Sequence, residues 1–389
     1  MVAAAKTWID GSAGDALPLP DRAFAYGDGV FETLLLRDGR ALLTEFHFDR
    51  LATGLACLRM PSALPLARKH FETALGALGA ATGYSVMRLT VSRGAGPRGY
   101  APPADAAPRV VITVSDLAHD PAQLPTPATL GETAVRWSKQ PLLAGVKHLN
   151  RLEQVLAAAD AAAAGMDEVL ILDQGGAPLS VSAGNLFLVA GKRLLTPTLA
   201  DAGIAGTRRR LLLEHLASAC GLQVGESRLQ LHQLLAANEV FYCNTLIGLR
   251  PVETYRDRSW GEHPVTECLH AAYCEWLQLS AAILALVAVL AVREAWQRWQ
   301  APLLLPESGI LLTVYPGDSL RSVAERLEMQ GVLQHPELLL LWARYHKLDA
   351  SIRRGEYDLQ PGLTAESLLA MLVSGRVVQY QVTLPEGIV

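Results

Sequence analysis

Apolar residues recur at helical spacing in the stretch AGVKHLNRLEQVLAAADAAAAG, residues 144–165. The positions that set this spacing are Leu152, Val155, Leu156 and Ala159. They predict an amphipathic helix. Asn150 and Glu153 stand at the N-cap and N3 positions of a capping box, and Gly165 is placed to end the helix.

Lys147 lies in the turn just before this predicted helix. A lysine that is fixed by such a scaffold can be desolvated and act as an amine nucleophile. The alternative is an ordinary surface lysine beside a helix. The spacing alone does not distinguish a nucleophilic lysine from a surface lysine. The sequence on either side of Lys147 provides the evidence that does.

The rest of the first 272 residues alternates between strand and helix patterns, which predicts an α/β (α+β) fold in two domains. The first domain, 1–117, is expected to contain a strand in 6–11, a hairpin turning at Asp38-Gly39, helices over 45–58 and 66–78, and strands in 84–93 and 109–115. Residues 118–132 carry three prolines and no periodicity, which predicts a linker. The second domain, 133–272, is expected to contain strands in 168–173, 185–191, 193–197 and 239–252 and a helix from about Thr207.

A different pattern begins at Trp276. Residues 276–292 carry no charge, and Arg293 closes the run. Seventeen helical residues rise ~25 Å, the short end of a bilayer span. This predicts a transmembrane helix over 276–293, the alternative being a helix buried in a globular core.

Residues 300–389 predict a small α+β module. Its first and third helices are expected to be capped by Ser319 and Thr364, and a last strand is expected over 377–387.

Composition excludes several classes of protein. The formal net charge of the 389 residues is −4 and no basic block is present, which argues against a nucleic-acid partner. The five cysteines are an odd number without a CxxC pair, which argues against a disulfide framework and a structural metal site and favours a reducing compartment. The N-terminus lacks an apolar core long enough for a signal peptide.

Elements suited to binding a phosphate surround Lys147 in the sequence. YGDGVFET, residues 26–33, predicts a glycine turn that allows close approach to a ligand, and HFDRL offers the guanidinium of Arg50. GIAGTR, residues 203–208, predicts a helix N-terminus, and Thr245 offers a hydroxyl at a strand end. A lysine amine together with a phosphate cup is what pyridoxal 5′-phosphate requires.

These motifs resemble those of the fold-type IV pyridoxal-phosphate enzymes over residues 1–270. Within that group, KHLNRLEQVLA and SRGAGPRGY resemble the 4-amino-4-deoxychorismate lyase family, which forms 4-aminobenzoate and pyruvate for folate synthesis. The resemblance implies a homodimer in which Lys147 forms the Schiff base with the cofactor. The further cofactor-binding residues that it implies are Arg50, Ser180, Asn185, Gly206, Thr207, Arg208 and Thr245. The substrate-binding residues that it implies are Phe31, Arg93, Arg98 and Tyr100.

Ser180 departs from the family pattern. A glutamate usually occupies this position and pairs with the pyridine nitrogen, whereas this chain reads APLSVSAGNLF. A hydroxyl cannot hold the pyridinium proton as a carboxylate does. We therefore expect weak or absent transamination and reduced lyase activity.

The end of the chain, 276–389, resembles the membrane anchor and LysM-like part of the endolytic murein transglycosylase family, ending before its catalytic domain. This implies an enzyme in the cytoplasm, a helix in the bacterial inner membrane and a periplasmic module over 300–389. The enzyme part and the transglycosylase-like part could be connected by a natural gene fusion or by a reading-frame error between two neighbouring genes, and both alternatives stay open. Two other functions also stay open: a class IV aminotransferase acting on D- or branched-chain amino acids, and a cell-wall-associated membrane protein with a non-catalytic scaffold.

Overall fold

The computed structural model describes residues 6–79, 82–349 and 351–378, without the side chains of 278–289 and 291–292. The chain divides into two compact units, Met1–Gln278 and Leu279–Val389. We call the first the enzyme unit and the second the C-terminal unit.

The first domain of the enzyme unit is an antiparallel sheet covered by helices. Its strands are β1 Lys6–Ile9, β2 Ser12–Ala13, β3 Gly29–Arg37, β4 Arg40–Ala41, β5 Tyr84–Ser92 and β6 Arg109–Asp116, in the spatial order β2-β1-β6-β5-β3-β4. Its helices are α1 Arg22–Tyr26, α2 Thr44–Cys57 and α3 Ala63–Leu78. The apolar side chains of α2 and α3, such as Phe48, Leu55 and Phe71, pack with those of the sheet in one core.

The second domain is a mixed sheet that closes on itself. Its strands are β7 Ala128–Trp137, β8 Glu168–Asp173, β9 Pro178–Val181, β10 Asn185–Ala190, β11 Arg193–Pro197, β12 Gln223–Ser227, β13 Glu239–Asn244, β14 Gly248–Tyr255 and β15 Arg258–Ser259. The order is β12-β11-β10-β13-β14-β7-β8-β9, and β9 also pairs with β10 through Ser180 and Asn185. The predicted linker 118–132 is too long, because its last five residues begin β7.

The helices of this domain position the loops around the sheet. They are α4 Leu152–Ala164, α5 Thr207–Leu211, which continues as a π-helical turn over Leu212–Leu216 and ends as α6 Ala217–Ala219, α7 Leu231–Ala236 and the first part of α8 Pro264–Gln300. The residues of α8 from Leu279 belong to the C-terminal unit. The helix expected from about Thr207 is confirmed.

The start of α4 corrects two predictions. Asn150 and Glu153 do not form a capping box: Asn150 donates to the Gly27 carbonyl, and the Glu153 carboxylate accepts from Ser138. Both side chains have found partners in distant parts of the chain. Gly165 ends the helix in a left-handed conformation, as predicted.

The face that α4 buries is also not the predicted one. The helix packs on the sheet through Ala157 and Ala161, whose small side chains allow close approach. The apolar residues that predicted the helix lie outside this contact: Leu152, Val155, Leu156 and Ala159 are exposed.

One disulfide joins Cys220, after α6, to Cys268 in α8, with a Cα–Cα distance of 6.1 Å. The cysteine count and spacing did not predict this pair. The sequence argument against a disulfide framework did not allow for this single long-range bond.

After the end of α8, the described residues of the C-terminal unit form a two-stranded sheet and three further helices. They are β16 Ile310–Val314, β17 Gly355–Leu359, α9 Leu320–Met329, α10 Pro336–Tyr345 and α11 Ala365–Ser374. Ser319 and Thr364 cap α9 and α11 as predicted. The strand predicted over 377–387 falls mainly on 379–389, outside the described residues.

No helix among the residues that the structure describes is both long and apolar enough to cross a membrane. The predicted transmembrane segment, 276–293, coincides with the middle of α8. Most of its side chains, those of 278–289 and 291–292, lie outside the described residues. The membrane span therefore stays a prediction.

Gly29 provides a test of the packing between the two domains of the enzyme unit. A Cβ at Gly29 would lie 2.5 Å from the Val91 carbonyl oxygen and 2.9 Å from Leu149 Cδ1. We expect Gly29→Ala to lower the free energy of unfolding by about 1–3 kcal/mol, because backbone cannot move aside cheaply. Urea titration of the full chain measures it.

Gly76→Ala is the matched control, because a Cβ there meets nothing within 4 Å on helix α3. It should raise stability by about 0.5–1 kcal/mol. Equal stability of Gly29→Ala and wild type would contradict the close packing at Gly29.

Candidate active site

Lys147 is fixed by backbone pairing with the first domain. The Lys147 carbonyl accepts from the Phe31 N–H at 3.0 Å, and the Leu149 N–H donates to the Gly29 carbonyl at 3.0 Å. The Lys147 segment therefore extends the edge of β3. Its Nζ lies 4.3 Å from the centre of the Phe31 ring, which forms part of a cavity wall.

The amine of Lys147 is chemically unusual. Burial lowers its pKa to about 7, and the positive charge of Arg50 adds to this effect while the Glu32 carboxylate opposes it. An ordinary lysine carries its proton at neutral pH. At Lys147 a substantial fraction of the amine is unprotonated at neutral pH, and that fraction grows as the pH rises above 7.

The glycine turn predicted to approach a ligand instead approaches protein. A Cβ at Gly27, whose φ is +62°, would lie 2.5 Å from Asn150 Oδ1, and Gly29 faces the Val91 carbonyl. The glycines of YGDGVFET therefore let the chain after Lys147 pack against β3. Their contribution to the site is indirect.

A buried carboxylate orients Arg50 and His47 at the phosphate cup. Glu32 is 1% exposed and accepts from Arg50 Nε at 2.8 Å and from His47 Nδ1 at 2.6 Å. Burial alone would raise the pKa of Glu32, but Arg50 and His47 outweigh it and lower the pKa. Burial lowers the pKa of His47, so this ring is neutral and its Nε2 lies 3.4 Å from Thr207 Oγ1.

The loop before α5 supplies the other side of the cup. Arg50 Nη1 donates to the Ala205 carbonyl at 3.0 Å, and a Cβ at Gly206 would lie only 2.0 Å from Asn185 Oδ1. Asn185 Nδ2 in turn donates to the Ile204 carbonyl at 2.8 Å. Only glycine fits at position 206 beside Asn185. The close contact and the hydrogen bond from Asn185 fix the loop that leads into α5.

The cup fits a phosphate. The hydroxyls of Thr207 and Thr245 lie 3.4 Å apart. Arg208 is 1% exposed, and its Nε and Nη1 atoms are buried without a hydrogen-bond partner among the described residues. A buried guanidinium with unpaired donors is costly, and an oxyanion would satisfy it. The donor set therefore matches the phosphate group of pyridoxal phosphate.

The cup and Lys147 share one cavity of about 310 Å³. Ser180 also lines it, and its Oγ accepts from Trp137 Nε1 at 2.7 Å. All eight predicted cofactor-binding positions lie on the cavity wall: Arg50, Lys147, Ser180, Asn185, Gly206, Thr207, Arg208 and Thr245.

Of the predicted substrate-binding residues, the structure brings only Phe31 to this wall. Arg93 donates to the Asp28 carboxylate at 2.8 Å and to the Leu58 carbonyl at 2.7 Å, so it holds a loop in place. Arg98 is exposed and Tyr100 is 87% exposed.

Sequence reasoning missed several residues of the site. Glu32 had a detectable signal, because a lone acid inside the apolar strand GVFETLLL needs a buried cation. His47 lies one helical turn before Arg50, but nothing in the sequence connects it to Glu32. Trp137 and Gln154 also line the cavity and gave no signal.

Two family models match the chain. Residues 29–255 match the class IV amino-transferase family, and residues 312–389 match the YceG-like family. Both resemblances drawn from the sequence motifs are thereby confirmed.

Individual relatives agree with the family models. The chain is 36% identical over 248 residues to an aminodeoxychorismate lyase of Vibrio harveyi, covering 63% of this chain and 89% of the relative. It is 38% identical to the solved 4-amino-4-deoxychorismate lyase of Pseudomonas aeruginosa, with a TM-score of 0.62 over 68% of this chain and 97% of that structure.

A third comparison bears on the fold. A hypothetical aminotransferase from Mycobacterium tuberculosis, solved in a PLP-bound form, is 22% identical with a TM-score of 0.59, covering 69% of this chain and 96% of that one. Its likeness extends to the fold alone. With a matching family model over 29–255, a lysine amine and a phosphate cup in one cavity, this chain belongs to the pyridoxal-phosphate-dependent class IV amino-transferase family.

Proposed function

We propose that the enzyme unit is a pyridoxal-phosphate-dependent 4-amino-4-deoxychorismate lyase that forms 4-aminobenzoate and pyruvate. The observation that carries this proposal is Lys147, which shares one cavity with the phosphate cup and whose pKa of about 7 leaves a substantial fraction of its amine unprotonated at neutral pH. The identities of 36% and 38% to two aminodeoxychorismate lyases support the same reaction.

Arg50, the start of α5 and Thr245 would hold the cofactor phosphate, and Lys147 would hold the cofactor covalently until substrate arrives. When bound, the cofactor supplies an electron-withdrawing ring that makes the substrate C4–H bond acidic. Lys147 Nζ takes this C4 proton, and loss of enolpyruvate from C3 makes the ring aromatic. The same Nζ then carries the proton to the methylene carbon of enolpyruvate, giving pyruvate.

Ser180 favours this lyase over a transaminase. Its Oγ accepts from Trp137, which leaves its own hydroxyl hydrogen available to a ligand. Such a hydroxyl donates a hydrogen bond to a pyridine nitrogen but provides no negative charge to keep that nitrogen protonated. A reaction assisted by aromatisation depends less on that proton than transamination does.

Assembly and location complete the proposal. We propose a homodimer, supported by apolar side chains on α4 that are exposed to solvent in the single chain: Leu152 is 76% exposed, and Val155 and Leu156 are each 59% exposed.

We also propose that 276–293 spans the bacterial inner membrane, with the enzyme unit cytoplasmic and 300–389 periplasmic. The uncharged sequence of 276–292 supports the span, and the likeness of 312–389 to the YceG-like family supports the orientation.

The lyase proposal predicts covalent capture of the cofactor at Lys147. Borohydride reduction of the loaded protein should leave a pyridoxyl adduct on the Lys147 peptide in mass spectrometry. Lys147→Ala should lose the adduct and lower the turnover of 4-amino-4-deoxychorismate by at least about 10³-fold.

Lys139→Met is the matched control. Lys139 lies eight residues before Lys147, its side chain is 62% exposed and it pairs with Asp201, so the adduct and activity of this variant should equal those of wild type. Wild-type protein that binds no cofactor, or that forms keto acids from amino-acid donors faster than 4-aminobenzoate, would refute the proposal.

The role of Ser180 predicts a gain of transamination. Ser180→Glu should shift the absorbance of the bound cofactor and raise the rate of keto-acid formation from D-alanine or L-leucine by about tenfold, because a carboxylate keeps the ring nitrogen protonated. Ser180→Ala, which removes the hydroxyl without adding a charge, should not raise it. An unchanged spectrum and rate in Ser180→Glu would contradict this role.

The membrane proposal predicts opposite exposure of the two ends of the chain. In spheroplasts, added protease should digest an epitope placed after Val389 and leave an epitope before Met1 intact. Lysis of the spheroplasts, as the control, should expose both. Digestion or protection of both ends before lysis would exclude a single span.

A further inference from the structure

A second group of unpaired polar atoms lines the same cavity, on elements other than those of the phosphate cup. Arg151 comes directly before α4, and Gln154 lies in its first turn. Both side chains line the cavity wall, as does Trp137.

The guanidinium of Arg151 is held in place but unpaired. Its Nε donates to the His148 carbonyl at 2.8 Å, and its Cζ lies 6.0 Å from the centre of the Trp137 ring. Its Nη1 and Nη2 atoms are both buried and have no hydrogen-bond partner among the described residues. Burial lowers the pKa of Arg151 to about 10, so the group still carries its charge at neutral pH.

The neighbouring groups form no ion pair with this charge. Glu153, the next residue but one along the chain, attracts Arg151 electrostatically and so opposes the lowering of its pKa, but its carboxylate accepts hydrogen bonds from the Ser138 N–H and hydroxyl. Burial and the nearby Arg151 lower the pKa of His148 to about 4, so His148 is neutral. No carboxylate among the described residues lies within ion-pair distance of Arg151. A buried guanidinium whose Nη atoms have no directly paired anion is unfavourable, and a ligand carboxylate would supply that pairing.

Gln154 adds further unpaired polar atoms to this cavity wall. Its Nε2 and Oε1 atoms are both buried and unpaired among the described residues. A buried amide with neither group satisfied is destabilising until a ligand pairs with it. The guanidinium and amide donors on the wall of this cavity match a planar oxyanion, because a guanidinium binds the two oxygens of a carboxylate side by side.

We propose that Arg151 and Gln154 form the subsite for a substrate carboxylate. The inference rests on the proposed lyase function, whose substrate carries one carboxylate on the ring and one on the enolpyruvyl group. The phosphate cup has its own cations, Arg50 and Arg208. The residues that the resemblance implied for this role, Arg93 and Arg98, are respectively paired with Asp28 and exposed.

Binding of product-like probes to the cofactor-loaded protein tests the subsite without turnover. The probes are 4-aminobenzoate, its uncharged analogue 4-aminobenzamide, and pyruvate, each titrated by calorimetry. Wild type should bind the benzoate at least about tenfold more tightly than the benzamide, because a charged hydrogen-bonded pair is lost in the amide. In Arg151→Met this preference should fall to about one.

Three further variants sharpen the test. Arg151→Lys keeps the charge but not the paired donors and should recover only part of the preference. Gln154→Leu should weaken benzoate binding a few-fold. Lys139→Met also removes one positive charge from this region, outside the cavity wall, and should leave all three affinities unchanged.

The outcomes separate the two carboxylates and the two proposals. Loss of benzoate affinity in Arg151→Met assigns the subsite to the ring carboxylate, and loss of pyruvate affinity instead assigns it to the enolpyruvyl carboxylate. If both anions keep their affinity, or if benzamide binding falls as much as benzoate binding, the subsite is refuted. A wild-type protein that does not cleave 4-amino-4-deoxychorismate refutes the lyase proposal, whatever the probes show.

Discussion

The pairing of the Lys147 segment with strand β3 is the contact on which the site depends. Two backbone hydrogen bonds attach this segment, which belongs to the second domain, to the edge of the first domain's sheet. They place the lysine above Phe31 and beside Arg50. Gly27 and Gly29 keep the space for this attachment free. The glycine motif therefore acts through the packing between the domains.

The electrostatics of the cavity follow from an imbalance of charge. Four cationic side chains, Arg50, Lys147, Arg151 and Arg208, line it, and Glu32 behind Arg50 is the carboxylate that directly pairs with one of them. This imbalance and burial favour the neutral form of Lys147, because lysine is the cation that loses its proton most easily. The same imbalance suits anionic ligands, a phosphate at the cup and carboxylates elsewhere. The excess of buried positive charge therefore both lowers the stability of the fold and allows the cavity to bind anions.

The local elements and the cofactor positions were predictable because short-range sequence carries them. The hairpin at Asp38-Gly39, the end of α4 at Gly165 and the caps at Ser319 and Thr364 need only backbone preferences. The eight cofactor positions could be located because they stand in motifs. The capping box at Asn150 failed for a physical reason: its polar side chains gain more from tertiary partners than from their own helix.

The sequence by itself determined the lysine, the order of the phosphate-binding elements and the division of the chain into an enzyme and a C-terminal module. The tertiary structure decided which face of α4 is buried, the disulfide Cys220–Cys268 and the Glu32–His47–Arg50 cluster. It also decided that Arg151 and Gln154 lack partners. A polar group's partners come from segments far apart in the chain, so its satisfaction cannot be read from neighbouring residues. Lys147 could therefore be found in the sequence, but its lowered pKa could not.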